Sequence, residues 1–535
     1  MSENLGRGPI PGGCLRRHPV ASGGTVLLVW VFILATTLAR AGEGPSPVVG
    51  WRGDGSGHFP GAAPPTRFSE QENMTWKAAV GQGCGAAIVV GDRLFVQAAP
   101  NALVCLDKAS GKELWRRDRH LGRLAPDLPA CRLDAVMDQV GRMHDLKQAF
   151  HRLEKESPER VKLEAELTAR LAALPEELPP LPGAGINTAW RKDGGGYTSL
   201  GVHLICVTPC TDGRRVVALF PTGIAVAYDL AGRWLWSADV SPLTALSRPA
   251  DWPRDRKWRP MPGILSACPV LAPEGIVVVR FGALTAGLEA ASGRMVWRTV
   301  ASSGSQASPV VGVVGGESFV ATDGGDVLRA RDGLVVHRGQ IPSSECSVSP
   351  VFADGVFHWV THAVKVEGGD MPRATVLWEW STEGLRAASE GWHAGGFPYP
   401  GPHLTGHVDF TSPVVVGEQL LYYAWNRMNV IEAATGKVLA QHRLAKSPVR
   451  PLARGVTKNW AYGGMVRAGD WLVLVHDNGL VKTFPLNATF SPMQACALPD
   501  DVYAQPTCDG PALYIRSLNA LWRFDHPATA SGTGK

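Results

Sequence analysis

The richest cluster of side chains with chemical potential lies in the second half of the chain. Its members are His393, His403, His407 and Asp409. Two histidines four residues apart on a helix can bind a metal ion, but the proline-rich stretch 398–402 opposes a regular helix leading into His403 and His407. We therefore expect a loop on one face of the fold. It either lines a ligand funnel or carries solvated histidines.

Outside this cluster the sequence contains no nucleophile elbow, phosphate-binding loop or paired acid–base motif. Catalytic sites are also assembled from residues far apart in sequence. The absence of a local catalytic motif therefore favours a non-catalytic protein but does not exclude an enzyme. We predict no catalytic residue, cofactor-binding residue or metal ligand from local sequence.

The composition indicates which elements must position any such site. The 535 residues include 61 glycines and 41 prolines, spread among runs of Val, Leu and Ile. Such frequent turn residues between apolar runs are typical of many short strands. Hydrophobic residues make up 45% and charged residues 19% of the chain, which excludes a disordered protein.

The N-terminus has the pattern of an export signal. Arg7, Arg16 and Arg17 precede an apolar run, residues 25–39, and small residues flank a cleavage position after Ala41. We expect a signal peptide over residues 1–41, with an uncleaved membrane anchor as the alternative. Its removal takes away four arginines and one glutamate and leaves a near-neutral chain, so no nucleic-acid partner is expected.

A repeated unit dominates the remaining sequence. In the first copy, residues 86–96 form two apolar runs around the turn pair Gly91-Asp92, and a second turn at residues 107–111 leads to Trp115. Residues 412–422 repeat the first half closely, beginning Ser-Pro-Val-Val-Val-Gly. Each unit has the length and turn pattern of four antiparallel strands.

These motifs resemble the pyrroloquinoline-quinone-type (PQQ-like) β-propeller repeat. The resemblance covers residues 70–525 and implies an all-β propeller in which a Trp of each unit docks on the next blade beside a turn glycine. It assigns this structural role to Trp76, Trp115, Trp236, Trp297, Gly111, Gly232, Gly293 and Gly436. His337 and Ala440 replace the expected Trp in two units, so docking there is not expected.

The count of units predicts eight blades, with seven as the alternative. The last unit lacks one strand, and the stretch around Trp76 has the pattern of a lone outer strand. We expect this strand to complete the last blade, because closing the ring protects the strand edges. Residues 42–69 are then an N-terminal linker and residues 526–535 a disordered tail.

Residues 131–182 interrupt the repeat between the first and second blades. Apolar residues recur every three or four positions, and Ser157-Pro158 has the pattern of a helix start. A helical hairpin is predicted, which either caps the propeller edge or serves as a docking arm for a protein partner.

The resemblance leaves two functions open. Quinone-dependent dehydrogenases of this kind often carry an adjacent Cys-Cys pair and a calcium ion, but the sequence has no Cys-Cys pair and no Cys-x-x-Cys-His haem motif. We therefore expect no cofactor, PQQ with calcium being the exception to test.

The first hypothesis is an exported, non-catalytic propeller that binds proteins in the periplasm or cell envelope, through the insertion or a propeller face. It is similar at fold level to the propeller lipoprotein of outer-membrane barrel assembly, without that protein's anchor cysteine. The alternative is a quinone-dependent dehydrogenase or other small-molecule enzyme with a site at the propeller axis.

Overall fold

The computed structural model describes most of the repeat region. The described residues are 49–98, 102–117, 149, 153, 157–177, 207–220, 223–240, 267–281, 284–300, 307–339, 348–380, 411–424, 427–444 and 464–526. They all belong to one compact unit, Pro47–Lys535.

The described strands form eight sheets, each with four antiparallel strands, which are the blades of an eight-bladed β-propeller. Two strands precede the first blade: β1 (His58–Phe59) and β2 (Met74–Ala79). Blade 1 contains β3 (Ile88–Val90), β4 (Arg93–Ala98), β5 (Ala102–Asp107) and β6 (Glu113–Arg117). Blade 2 contains β7 (Cys210–Thr211), β8 (Arg215–Leu219), β9 (Ile224–Asp229) and β10 (Trp234–Asp239). Blade 3 contains β11 (Val270–Ala272), β12 (Ile276–Phe281), β13 (Leu284–Glu289) and β14 (Met295–Val300). Blade 4 contains β15 (Val310–Val314), β16 (Glu317–Ala321), β17 (Val327–Arg329) and β18 (Val335–His337).

The second half of the ring repeats this arrangement. Blade 5 contains β19 (Val351–Ala353), β20 (Val356–His358), β21 (His362–Glu367) and β22 (Arg373–Glu379). Blade 6 contains β23 (Val414–Val416), β24 (Gln419–Ala424), β25 (Arg427–Glu432) and β26 (Val438–Arg443). Blade 7 contains β27 (Met465–Ala468), β28 (Trp471–Val475), β29 (Leu480–Pro485) and β30 (Gln494–Ala497), with β1 added beside β27. Blade 8 contains β31 (Thr507–Asp509), β32 (Ala512–Arg516) and β33 (Ala520–Phe524), with β2 as its outer strand.

Burial explains the sequence pattern of each blade. The two middle strands are continuous apolar runs because both of their faces pack against neighbouring blades, as in β4 and β5. The outer strand is mostly exposed or half-buried, as in β10, because one of its faces meets solvent. Neighbouring inner strands contact one another, so the apolar core continues from blade to blade around the axis.

The ring closes as the sequence predicts. Strand β2 pairs antiparallel with β33, placing Lys77 opposite Trp522 and Ala79 opposite Ala520. The first strand of the repeat region and the last strand of the chain therefore share one sheet. The prediction of eight blades, rather than seven, is confirmed.

The predicted helical hairpin is not shown. Within the described residues the insertion contributes one helix, α1 (Pro158–Glu177). Ser157 caps it, with its hydroxyl oxygen accepting the backbone N–H of Arg160 at 3.3 Å. The helix passes through Pro175 and ends at Glu177. The first predicted helix of the hairpin lies almost wholly outside the described residues.

Candidate functional site at the propeller axis

A belt of hydroxyl groups links the inner ends of consecutive blades. In four blades a Ser or Thr precedes the inner-strand proline, and its hydroxyl oxygen accepts the backbone N–H of the equivalent residue in the preceding blade. The pairs are Ala86 N to Thr208 Oγ1 at 2.9 Å, Cys268 N to Ser308 Oγ at 3.4 Å, Ser308 N to Ser349 Oγ at 2.8 Å and Ser349 N to Ser412 Oγ at 3.2 Å. The Ser-Pro-Val signature of the repeat thus ties one blade to the next near the axis.

Residues 49–59, here called the axial segment, cross the space enclosed by the inner strands. Val49 exchanges two backbone hydrogen bonds with Thr211 of β7, at 2.8 and 3.0 Å. A Cβ built on Gly55 would lie 3.2 Å from Val310 of β15. Since β7 and β15 belong to blades 2 and 4, the segment enters the axis from one side of the ring and continues across it.

Arg52 reaches the opposite side. Its Nη2 donates to the carbonyl oxygens of Pro413, at 2.8 Å, and Met465, at 2.9 Å, which belong to blades 6 and 7. The residue is 2% exposed, and burial lowers its pKa to about 9. The Nε and Nη1 atoms have no hydrogen-bond partner in the structure. A fully buried guanidinium without a carboxylate partner is costly, because desolvation is not balanced by an opposite charge.

Packing around Arg52 explains the composition of the axial segment. Trp51 is 5% exposed and joins the apolar core formed by blades 2 to 5. A side chain at Gly57 would collide with the Arg52 guanidinium, and Gly57 also has φ of +71°, which favours glycine. The tight approach of the backbone to Arg52 therefore requires glycine at this position.

The axial segment ends as an added strand. In β1, His58 and Phe59 pair in parallel with Arg467 and Ala468 of β27. The chain then passes between blades 7 and 8, where Phe68 packs on Phe524 with ring centroids 4.6 Å apart. Residues 49–69 of the predicted linker thus contact blades 2, 4, 6, 7 and 8.

This arrangement determines what the axis can hold. With the axial segment in place, Trp51 and Arg52 occupy the space between the inner strands that an axial ligand would need. In the described ranges no group of three or more His, Cys, Asp or Glu side chains could hold a metal ion. Within the described residues Trp51 and Arg52 fill the axis, and we derive no chemistry through PQQ with calcium.

Buried charged side chains lie between blades 3 and 4. Arg280, at the end of β12, donates to Asp323 through Nη1, and burial lowers the pKa of Arg280 to about 10. Asp326 accepts from Arg338 Nη1 at 3.1 Å and from the Gly339 N–H at 2.8 Å. The Arg280–Asp323 pair joins blade 3 to blade 4. Arg338, which pairs with Asp326 within blade 4, also donates to the Val300 carbonyl oxygen of blade 3 at 2.7 Å.

A second polar group lies between blades 6 and 7. His476, after β28, meets the ring of Tyr423 edge-on at 5.6 Å, and the Lys482 ammonium lies 5.9 Å from the same ring. Burial lowers the pKa of His476 to about 3 and that of Lys482 to about 8. Neither ring nitrogen of His476 has a hydrogen-bond partner. The imidazole of His476 is therefore neutral in the core, and the contact between blades 6 and 7 is sensitive to acid.

The structure brings together some residues singled out in the sequence. Each of five indoles donates its Nε1–H to a turn carbonyl of the following blade and lies against the glycine of that turn. The pairs are Trp76 with Gly111, Trp115 with Gly232, Trp236 with Gly293, Trp297 with Gly333, and Trp378 with Gly436. The funnel candidates His393, His403, His407 and Asp409 lie outside the described residues, as does Ala41.

Sequence reasoning assigned no structural role to four residues: Gly333, Trp378, Trp51 and Arg52. Gly333 lies 40 residues after Gly293, and Trp378 occupies the Trp position of its unit, so alignment of the repeat units identifies both. Trp51 and Arg52 belong to no repeat. The only local signal for them is the unusual density of glycines in residues 50–61.

Comparisons with known proteins agree with this architecture. The family model described as outer membrane protein assembly factor BamB matches residues 66–251 and 221–482. No curated protein sequence matches the chain. Among solved structures, the quinohemoprotein alcohol dehydrogenase of Comamonas testosteroni shares 12% identity and a TM-score of 0.51, over 93% of this chain and 84% of that one. BamB of Moraxella catarrhalis shares 14% identity and a TM-score of 0.38, over 59% and 82% of the two chains. At these identities the structural likeness shows the fold alone.

Proposed function

Because the chain belongs to the PQQ-like propeller family described as outer membrane protein assembly factor BamB, we propose that it is a non-catalytic scaffold that binds proteins in the cell envelope. The proposal includes export through the signal pattern ending at Ala41. No helix among the described residues is long and apolar enough to cross a membrane.

The occupied axis is the observation that carries the proposal. An enzyme with an axial site needs an open channel, whereas this channel holds the Trp51 indole and the Arg52 guanidinium. Its apolar lining serves packing between blades. Binding through the outer surfaces of a rigid ring remains compatible with this packing.

The insertion offers one such surface. Helix α1 lies between blades 1 and 2, and its Val161 side chain is 61% exposed. Glu159 and Lys162 beside it are also exposed. This part of α1 is therefore open to a protein partner. We propose that α1, with the funnel loop of His393, His403, His407 and Asp409 as a second surface, contacts the partner.

Photo-crosslinking tests the scaffold. A photoreactive amino acid at Val161 of the full-length protein should give one discrete protein adduct in envelope preparations. The same group at Arg233, on the rim of blade 2 with its side chain 84% exposed, is the control and should give none. Adducts of equal yield from both positions, or from neither, would contradict docking through α1.

Cofactor titration tests the enzyme alternative. Because the axis is filled, added PQQ with calcium should change neither the absorption spectrum of the cofactor nor the melting temperature of the protein. A saturable spectral change with a matching rise in melting temperature would replace the scaffold by a quinone enzyme.

A further inference from the structure

The axial segment contacts the propeller in the way that peptide ligands contact sheet edges. Val49 pairs with the inner strand of blade 2. Farther along, the N–H of Arg467 donates to Gly57 O at 2.7 Å and that of Gly469 to Phe59 O at 3.2 Å. Inner strands are sheet edges whose backbone groups remain open to another chain, and adding a strand to such an edge is a common mode of peptide recognition.

Between these two backbone anchors, side chains supply selectivity. Trp51 enters the apolar core, and Arg52 places its guanidinium on the carbonyls of Pro413 and Met465. The glycines beside them allow the chain to pass close to the inner strands. The channel therefore accepts an extended segment with an aromatic residue followed by arginine and glycines.

The fit of this internal occupant is imperfect. Arg52 is fully buried, yet Nε and Nη1 have no acceptor. Among the described residues, the carboxylate that acts on it is that of Asp54, which is exposed. A buried cation with unmet donors weakens the occupancy that its other contacts favour. A segment from another protein that carried an acceptor for the Nε of its own arginine would bind the same channel better.

We propose that the axial channel is a peptide-binding site, and that the axial segment is an intramolecular occupant which a partner's extended, glycine-rich segment bearing an aromatic–arginine pair displaces. This inference rests on the proposed scaffold function and names the chemistry of its partner. Because the axial segment and the partner's segment compete for the same channel, the partner binds only when residues 49–59 are released.

The test uses a fluorescent peptide of residues 49–59 and the full-length protein. The peptide should bind the Arg52→Ala protein about tenfold more tightly than wild type, because the weakened internal segment competes less. A peptide carrying Arg52→Ala should not bind. The Arg233→Ala protein, changed at an exposed arginine, should bind like wild type. Equal affinity of all three proteins, or no binding to a folded Arg52→Ala protein, would overturn the proposal.

A second measurement covers the case in which Arg52→Ala does not fold. In wild-type protein, excess peptide should speed amide hydrogen exchange in residues 49–59, and the Arg52→Ala peptide should not. Unchanged exchange would overturn the proposal. Peptide exchange without any adduct from α1 would retain the channel as a binding site while rejecting docking through the helix, so the two failures are distinguishable.

Discussion

In each of the five indole–glycine pairs, the turn glycine meets two conditions: a positive φ and a close approach of the indole ring. At Gly293 the turn requires φ of +73°, and an added Cβ would lie 2.5 Å from the Trp236 ring. Gly275 in the same blade has φ of +85° with open space around the Cβ position. A substitution at Gly275 therefore meets backbone strain alone, and one at Gly293 meets strain and a clash.

We expect Gly293→Ala to lower the free energy of unfolding by about 2–4 kcal/mol and Gly275→Ala by about 1 kcal/mol. Urea unfolding monitored by tryptophan fluorescence measures both. Equal losses in the two proteins would show that the indole of Trp236 does not constrain the turn.

His476 makes the fold sensitive to acid. Its pKa is about 3 in the folded protein, against an ordinary value of 6.5. The unfolded chain therefore binds the proton first as the pH falls. The stability is complete above pH 6.5 and is lost progressively toward pH 3, at up to about 1.4 kcal/mol per pH unit.

The substitution His476→Phe keeps an aromatic ring beside Tyr423 and removes this titration. Between pH 6 and pH 4, we expect the free energy of unfolding of the variant to fall less steeply than that of wild type, the two slopes differing by about 1 kcal/mol per pH unit. Above pH 7 the two slopes should be equal. Urea midpoints across this range provide the measurement. If the urea midpoints of variant and wild type changed with pH in parallel, His476 would not be the source of the acid sensitivity.

These residues differ in how far sequence predicts them. The turn glycines and Trp115, Trp236 and Trp297 follow from a local repeat, since each turn lies within a few residues of its strand. The surroundings of His476 depend on Tyr423 of another blade. Local patterns carry no information about that contact.

The hydroxyl belt acts at the level of the inner strands. Ser349→Ala leaves the buried N–H of Ser308 without its acceptor, which should cost about 1–3 kcal/mol of unfolding free energy. Ser349→Cys should cost less, because its sulfur is a weak acceptor that alanine lacks, and Cys268 occupies the equivalent position in blade 3. Urea titration of both variants tests this order. A larger loss for cysteine than for alanine would contradict the role of an acceptor.

Strand β2 closes the ring, and its removal exposes the edge of β33. We expect deletion of residues 70–80 to lower the melting temperature by about 10 °C or more. A peptide of these residues should restore part of the loss, and the same peptide with Trp76→Ala should restore less, because it lacks the contact with Gly111. A deletion variant that melts like wild type would rule out this closure.

The strands were predictable because apolar runs and turn glycines repeat along the chain, and the incomplete last unit pointed to β2. The helical hairpin stays a prediction. Of its two predicted helices the structure describes α1, and the stretch predicted for the other lies almost wholly outside the described residues. Hydrophobic periodicity indicates helical potential without specifying how many helices form or where they pack.

The ring as a whole combines a predictable frame with an unpredictable centre. Arg52 contacts residues 361 and 413 positions away in the sequence. No pattern within residues 49–59 encodes these partners, because they converge only when all eight blades are closed. The occupied axis, which favours a scaffold over an axial enzyme, therefore follows from the three-dimensional structure alone.

An engineered cross-link tests this occupied axis most directly. A Cβ built on Gly50 would lie 3.3 Å from the Cβ of Cys210, a buried free cysteine of β7, which is within a few tenths of an ångström of disulfide geometry. Under mild oxidation, Gly50→Cys should join residue 50 to Cys210 in most molecules, as detected by peptide mass mapping. Gly61→Cys, whose Cβ would meet no atom within 4 Å, is the control and should leave Cys210 free. Failure of the Gly50→Cys protein to cross-link to Cys210 would show that residues 49–59 do not lie in the channel.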